Sequence, residues 1–108
     1  MRFLPRDFAG RFGGEEFILL LPDTNREGAV TVAENIREAL VGLEVAGVSR
    51  PITASFGVAA VPDDVDGPTV LLRAADRALY LAKSRGRNRV ETLASQDSEP
   101  DPSALAPA

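Results

Sequence analysis

Two glycines and two glutamates stand in a row near the start of the chain, at positions 13–16. Glycines at the tip of a hairpin would let a ligand approach the backbone with no side chain in the way. Carboxylates beside such a bare backbone suit Mg²⁺ and a triphosphate, because hard cations take oxygen ligands and usually share them with phosphates. The alternative is an ordinary hairpin with two solvated glutamates, and composition alone favours that alternative.

A second candidate group is cationic, with four basic residues within seven positions: Lys83, Arg85, Arg87 and Arg89. Lys83 and Arg87 lie on either side of a predicted helix end. Cations there can simply complement the partial negative charge of a helix C-terminus. They can also form a phosphate clamp, with Lys as a mobile point charge and Arg as a bidentate fork.

The composition excludes several kinds of chemistry. The 108 residues include no cysteine and no histidine, so disulfides, thiolate metal sites and a histidine base are ruled out. With 44% apolar and 26% charged residues, the chain is typical of one small globular domain. No apolar run has the length of a membrane helix and no signal-peptide region is visible, so we expect a cytoplasmic protein without a membrane segment.

Charge is unevenly distributed along the chain. The tail holds Asp97, Glu99 and Asp101 and no basic residue, so residues 1–93 carry 12 basic and 13 acidic residues. A local positive patch on a nearly neutral body favours one anionic ligand over a long polyanion, and we therefore expect no nucleic-acid partner.

Hydrophobic periodicity and turn residues predict the order β-β-α-β-β-α-β, an α/β (α+β) sandwich with helices covering a mostly antiparallel sheet. The predicted elements are strands at 9–12 and 17–21, a helix at 26–41, strands at 43–48 and 52–61, a helix at 69–84 and a strand at 89–93. The apolar run 17–21 indicates a strand buried on both faces.

Turn and cap residues refine this prediction. Thr24 or Asn25 is the expected N-cap of the first helix and Gly42 its C′ residue, while Gly86 should end the second helix in a left-handed conformation. Gly57 indicates a bulge or a close backbone approach. We interpret the acidic loop 62–67 as a solvated turn, and we assign the Tyr80 ring to the core.

Four motifs in order then carry a family resemblance. Residues 13–17 resemble the GGDEF/GGEEF signature, with Asp7 and Arg11 preceding it at the family's spacing. Further matches are the T-x-S-x-G-x-A strand at 53–59, A-D-x-A-L-Y-x-A-K at 75–83 and G-R-N-x-V at 86–90. Over roughly residues 5–93, the chain is similar to the C-terminal portion of a GGDEF domain.

The resemblance implies a diguanylate cyclase of bacterial second-messenger signalling, a nucleotidyltransferase that condenses two GTP molecules to cyclic di-GMP and pyrophosphate. It also implies Mg²⁺ or Mn²⁺ as cofactor, a homodimer with one GTP in each domain, and an N-terminal regulatory domain. By the same resemblance, Glu15 is the metal ligand and the helper in deprotonating the attacking hydroxyl, and Glu16 is a second acidic site residue. The remaining roles are a backbone platform at Gly13 and Gly14 and triphosphate contacts at Lys83 and Arg87.

The sequence also departs from the family pattern. Only twelve residues precede Gly13, so the family's N-terminal strand and helices are expected to be missing, and the chain alone to be inactive. At the family's R-x-x-D product-inhibition site Asp7 is present but Leu4 replaces the Arg, so inhibition there is not expected. We expect a partial GGDEF domain at 1–93 and a disordered tail at 94–108. The alternative function is a truncated, catalytically inactive module acting in binding or dimerisation.

Overall fold

The computed structural model of the chain describes residues 16–94, and the backbone of residues 8–11. The described elements come in the order β1, β2, α1, β3, a short 3₁₀ helix, α2 and β4. Their bounds are Phe8–Arg11 for β1, Phe17–Leu20 for β2, Arg26–Val41 for α1, Phe56–Val58 for β3, Pro68–Val70 for the 3₁₀ helix, Leu71–Ser84 for α2 and Val90–Thr92 for β4.

The first two strands pair antiparallel, with Phe8 opposite Leu20 and Arg11 opposite Phe17. This confirms the predicted hairpin, although its tip lies outside the described residues. The prediction that β2 is buried on both faces is wrong, because Phe17 is 74% and Leu20 48% exposed. Among the described strands β2 pairs with β1 alone, and a two-stranded ribbon leaves much of its surface uncovered.

Helix α1 has the predicted bounds, and its first turn shows why it begins where it does. The Asn25 side chain accepts a hydrogen bond of 2.8 Å from the backbone N–H of Gly28, which satisfies one of the free donors of a helix start. At the other end Gly42, with a φ of −83°, is the C-cap itself, so its assignment as the C′ residue is wrong by one position.

The segment after α1 differs most from the prediction. Residues 43–48 form no strand; they are exposed and contain a turn in which the N–H of Val48 donates to the carbonyl of Val45 over 3.0 Å. The predicted strand 52–61 is reduced to Phe56–Val58. Its partner β4 is equally short, and β-branched sequence alone does not extend a strand beyond the residues that pair.

The third and fourth strands pair parallel, with Phe56 opposite Val90 and Val58 opposite Thr92. Helix α2 makes the crossover between them, as a parallel pair requires a long connection. The α/β class is confirmed. The described strands form two two-stranded sheets, one antiparallel and one parallel, whereas the sequence predicts a mostly antiparallel sheet.

Small residues make the contact between α2 and β3. Ala74, Ala78 and Ala82, spaced four apart, are buried on one face of α2. The close approach predicted at Gly57 is confirmed, because a Cβ on this glycine would overlap backbone atoms of α2.

The opposite face of α2 is exposed. Tyr80 lies about 200° around the helix from Ala78 and is 71% exposed, so its assignment to the core is wrong. In the described part of the chain, no helix is both long and apolar enough to cross a membrane.

Candidate functional site

Two predicted site residues from separate motifs meet in the structure. The ammonium nitrogen Nζ of Lys83, in the last turn of α2, lies 3.4 Å from Oε1 of Glu16, the residue just before β2. The two side chains are 39% and 40% exposed. The fold thus brings the glutamate-bearing hairpin to the cationic end of α2.

This ion pair is weak enough to open. Exposed pairs of this kind contribute about 0 to 1 kcal/mol, because water screens the charges and two flexible side chains must be ordered. Either charge is therefore available to a ligand at small cost. The other predicted residues of this motif and of the inhibition site, namely Leu4, Asp7, Gly13, Gly14 and Glu15, lie outside the described residues.

The end of α2 turns sharply into the loop that carries Arg87. The N–H of Arg87 donates to the carbonyl of Ala82 over 2.9 Å, the six-residue hydrogen bond of a Schellman-type helix end. Gly86 has a φ of +118°, which confirms its predicted role as the cap in the left-handed region. Arg87 and Asn88 follow with φ of 63° and 46°, so three consecutive residues have positive φ.

Asn88 ties this loop to two other elements. Its backbone N–H donates to Oγ of Ser55, just before β3, over 3.2 Å. Its side-chain Oδ1 accepts from NH1 of Arg37 in α1, also over 3.2 Å. Arg37 is itself held by Glu34, one turn earlier, at 2.9–3.0 Å.

Sequence reasoning missed Arg37 and Ser55. Arg37 lies off the apolar stripe of α1, and the sequence marks Ser55 only as part of the T-x-S-x-G-x-A strand motif. The usable signal was Asn88 itself, because asparagine is enriched at positive φ and its amide can bind neighbouring groups.

The remaining cations of the cluster are held by one buried carboxylate. Glu91 of β4 accepts from NH1 of Arg85 at 2.9 Å, and NH1 of Arg89 lies 3.7 Å from its other oxygen. Arg87, between these two arginines, is exposed and forms no ion pair with a carboxylate of residues 16–94. Of the four cations of the cluster, Arg87 thus has no ion pair with a carboxylate of residues 16–94, and Lys83 has only the half-exposed pair with Glu16.

The acidic loop 62–67 has a structural role. Oδ2 of Asp63 accepts a hydrogen bond of 2.8 Å from the backbone N–H of Arg26. Oδ1 of Asp64 accepts one of 2.7 Å from NH1 of the Arg26 side chain. This hydrogen bond, with the attraction between the charges, raises the pKa of Arg26 above its ordinary value. The interpretation as a solvated turn is wrong for Asp64, whose side chain is 3% exposed and also accepts from the N–H of Ala60.

Fold and site together define a small α/β domain in which a cationic helix end faces a glutamate-bearing hairpin. Residues 2–89 match the family described as "Diguanylate cyclase, GGDEF domain", and the chain belongs to this family. The resemblance drawn from its motifs is thereby confirmed.

Curated relatives agree with this assignment. Diguanylate cyclase A of Treponema denticola is 40% identical over 86 residues, which are 78% of this chain and 23% of the relative. Diguanylate cyclase DgcP of Pseudomonas aeruginosa is 41% identical over 92 residues, 83% of this chain and 14% of the relative. Response regulator PleD of Caulobacter vibrioides is 41% identical over 88 residues, 78% of this chain and 19% of the relative. The chain therefore spans less than a quarter of the length of these relatives.

Proposed function

We propose that this chain forms part of a diguanylate cyclase site, which condenses two GTP molecules to cyclic di-GMP with release of two pyrophosphates. The observation that carries the proposal is the contact between Lys83 and Glu16, which joins the GGEEF segment to the A-L-Y-x-A-K motif at one place. The alternative of an inactive binding module is not favoured, since two of the relatives named above are themselves called diguanylate cyclases.

Lys83 and Arg87 are proposed to bind the triphosphate. Lys83 offers a mobile point charge, and the planar guanidinium of Arg87 can hold two phosphate oxygens at once. A phosphate that replaces Glu16 at Lys83 must break the ion pair between these two residues. Because both side chains are half-exposed, breaking this pair costs little free energy.

The carboxylates fit a divalent cation by their donor chemistry. Glu15 offers hard oxygen donors, the kind that Mg²⁺ or Mn²⁺ prefers, and would hold the ion, with Glu16 as a second acidic residue of the site. When bound, the ion would neutralise charge on the phosphates. Within the described ranges, the structure has no group of three or more acidic, His or Cys side chains that could hold a metal.

The proposed reaction needs little from the protein beyond positioning. Gly13 and Gly14 would let the nucleotide lie against the backbone, and Glu15 would take the proton of the attacking 3′-hydroxyl. That hydroxyl attacks the α-phosphorus of a second GTP, held by a second copy of the domain, and pyrophosphate leaves. We further propose that the protein acts in the cytoplasm under an N-terminal regulatory domain, without product inhibition at Asp7, because Leu4 offers no cation.

Nucleotide binding tests the assignment of the two cations. The dissociation constant of GTP with Mg²⁺ should be measured by calorimetry for the chain and for Lys83→Ala and Arg87→Ala. Each change should weaken binding at least about tenfold, since a charge-assisted hydrogen bond to phosphate is lost. Arg73→Ala removes an exposed arginine from the outer face of α2 and should have no effect. Equal affinity in all four proteins would refute the proposal.

Turnover tests the carboxylate. The chain should be joined to the upstream part of an active GGDEF domain, and cyclic di-GMP formation should be followed by chromatography. Glu15→Gln keeps the size of the side chain and removes its charge, so the rate should fall about 100-fold or more. Near-normal turnover would show that Glu15 has no such role, and Glu16→Gln would be tested next.

A further inference from the structure

We propose that Asn88 is a positioning residue, anchored by Ser55 and Arg37, that fixes Arg87 in the conformation needed to meet the triphosphate. The proposal rests on the assignment of Arg87 to the phosphates and extends it to three residues with no role so far. The role of these three residues is to fix the conformation of Arg87, and the ligand that Arg87 binds is the one already proposed.

The backbone of the loop is unusual at the residue that matters. Gly86, Arg87 and Asn88 have φ values of +118°, +63° and +46°. Glycine and asparagine tolerate the left-handed region, but arginine has no local preference for it. The conformation of Arg87 must therefore be imposed by what surrounds it.

Hydrogen bonds on both sides of Arg87 impose it. On the N-terminal side its own N–H is bound to the carbonyl of Ala82, at 2.9 Å. On the C-terminal side Asn88 is bound twice, through its N–H to Ser55 and through its side chain to Arg37. These anchors come from α2, from the residue before β3 and from α1, so the loop is fixed relative to three parts of the fold.

The arginine side chains of the loop differ in their contacts. Arg85 and Arg89 form ion pairs with the buried carboxylate of Glu91, whereas Arg87 between them has no ion pair with a carboxylate of residues 16–94. A loop that merely ended the helix would need only Gly86 and the bond to Ala82. The extra anchors hold Asn88, the residue that immediately follows Arg87, and they thereby restrict the backbone of Arg87.

Restricting Arg87 before the ligand arrives lowers the conformational entropy lost on binding. Ser55→Ala tests this without a change of charge, because it removes only the hydroxyl that accepts from Asn88. The dissociation constants of GTP with Mg²⁺ and of inorganic tripolyphosphate should be measured for the chain. We expect Ser55→Ala to weaken both about fivefold, the value of one hydrogen bond.

A double-mutant cycle separates positioning from general loss of structure. In the Arg87→Ala background, Ser55→Ala should weaken binding no further, since no guanidinium remains to be positioned. Thr31→Ala is the matched control, because among the described residues the Thr31 hydroxyl bonds only to the carbonyl of Glu27 within α1. It should leave the affinity unchanged in both backgrounds.

Asn88→Gly gives a second, independent variant if Ser55→Ala lowers stability. Glycine keeps the positive φ available but removes the amide that binds Arg37, so the same fivefold loss is expected only while Arg87 is present. If Arg87→Ala weakens binding, two results overturn the positioning role and leave the proposed function standing. In the first, Ser55→Ala and Asn88→Gly have no effect on binding. In the second, both weaken binding further in the Arg87→Ala background. If Arg87→Ala itself has no effect, the triphosphate assignment fails and the positioning role fails with it.

Discussion

Gly57 in β3 lies directly against the backbone of Leu79 in α2. A Cβ placed on Gly57 would overlap the Leu79 amide nitrogen and the Ala75 carbonyl oxygen, and would lie 2.7 Å from the Cα of Leu79. Backbone atoms cannot swing aside as the end of a flexible side chain can. The spacing between α2 and the parallel strands is therefore set by the missing side chain of one residue.

Gly57→Ala should destabilise the chain strongly. The methyl group must push α2 away from β3 and open the contacts of Ala78 and Ala82, and we expect a loss of about 3 kcal/mol in the free energy of unfolding. Urea unfolding followed by circular dichroism measures it. The matched control is Gly67→Ala, where an added Cβ meets nothing within 4 Å and φ is extended. Equal stability of the two variants would contradict the close packing at Gly57.

Asp64 should matter for stability although it lies in a loop. Asp64→Ala leaves the buried N–H of Ala60 without its acceptor and removes the partner of the Arg26 guanidinium. The expected cost is about 2 kcal/mol in the free energy of unfolding. Asp66→Ala removes an exposed carboxylate of the same loop and should change the thermal midpoint little. A similar small change for both would show that the loop is solvated throughout.

Lys83→Ala should separate binding from stability. Its ion pair with Glu16 is half-exposed, so the free energy of unfolding should change by less than about 1 kcal/mol. The same variant should lose affinity for GTP, as proposed above. Thermal unfolding without nucleotide provides the measurement, and a fall of many degrees would show instead that Lys83 holds the hairpin to α2.

Removal of residues 95–108 should leave the thermal midpoint within about 2 °C of the parent chain. The tail is rich in Ser, Pro, Asp and Ala without hydrophobic periodicity, and the family match ends at residue 89. A deletion that starts at residue 90 removes β4 with its buried Glu91 and Thr92, and should abolish cooperative unfolding. Strong destabilisation by the shorter deletion would contradict the prediction of a dispensable tail.

The features that the sequence predicted correctly depend on residues near one another in the chain. The 3.6-residue period set the bounds of α1, and the glycine at 86 marked the end of α2. Strand length was not predictable in this way: residues 43–48 have strand-like composition but no partner, and the strand at β3 extends only as far as β4 does. Strand formation depends on pairing, which local composition does not encode.

At the site, the sequence identified Lys83, Arg87 and Glu16 as candidates, and the structure shows which two of them touch. The sequence did not reveal the anchoring of Asn88 by Arg37, because 51 positions separate the two residues and no local pattern links them. Asp64 was misread for the same reason, since its partner Arg26 is 38 positions away. The assignment of Tyr80 to the core is wrong because it rests on the hydrophobicity of the side chain and not on its position around the helix.

The crossover from β3 through α2 to β4 has a consequence for local opening of the chain. Among the described residues, all the buried ones except Ala33 lie within the stretch from Val58 to Thr92. One continuous stretch of chain therefore holds nearly all of the well-packed interior, and such a stretch tends to open as a single cooperative unit. Its amide protons, above all those of Ala78 and Ala82, should exchange with deuterium last, whereas amides of the exposed segment 43–48 exchange early.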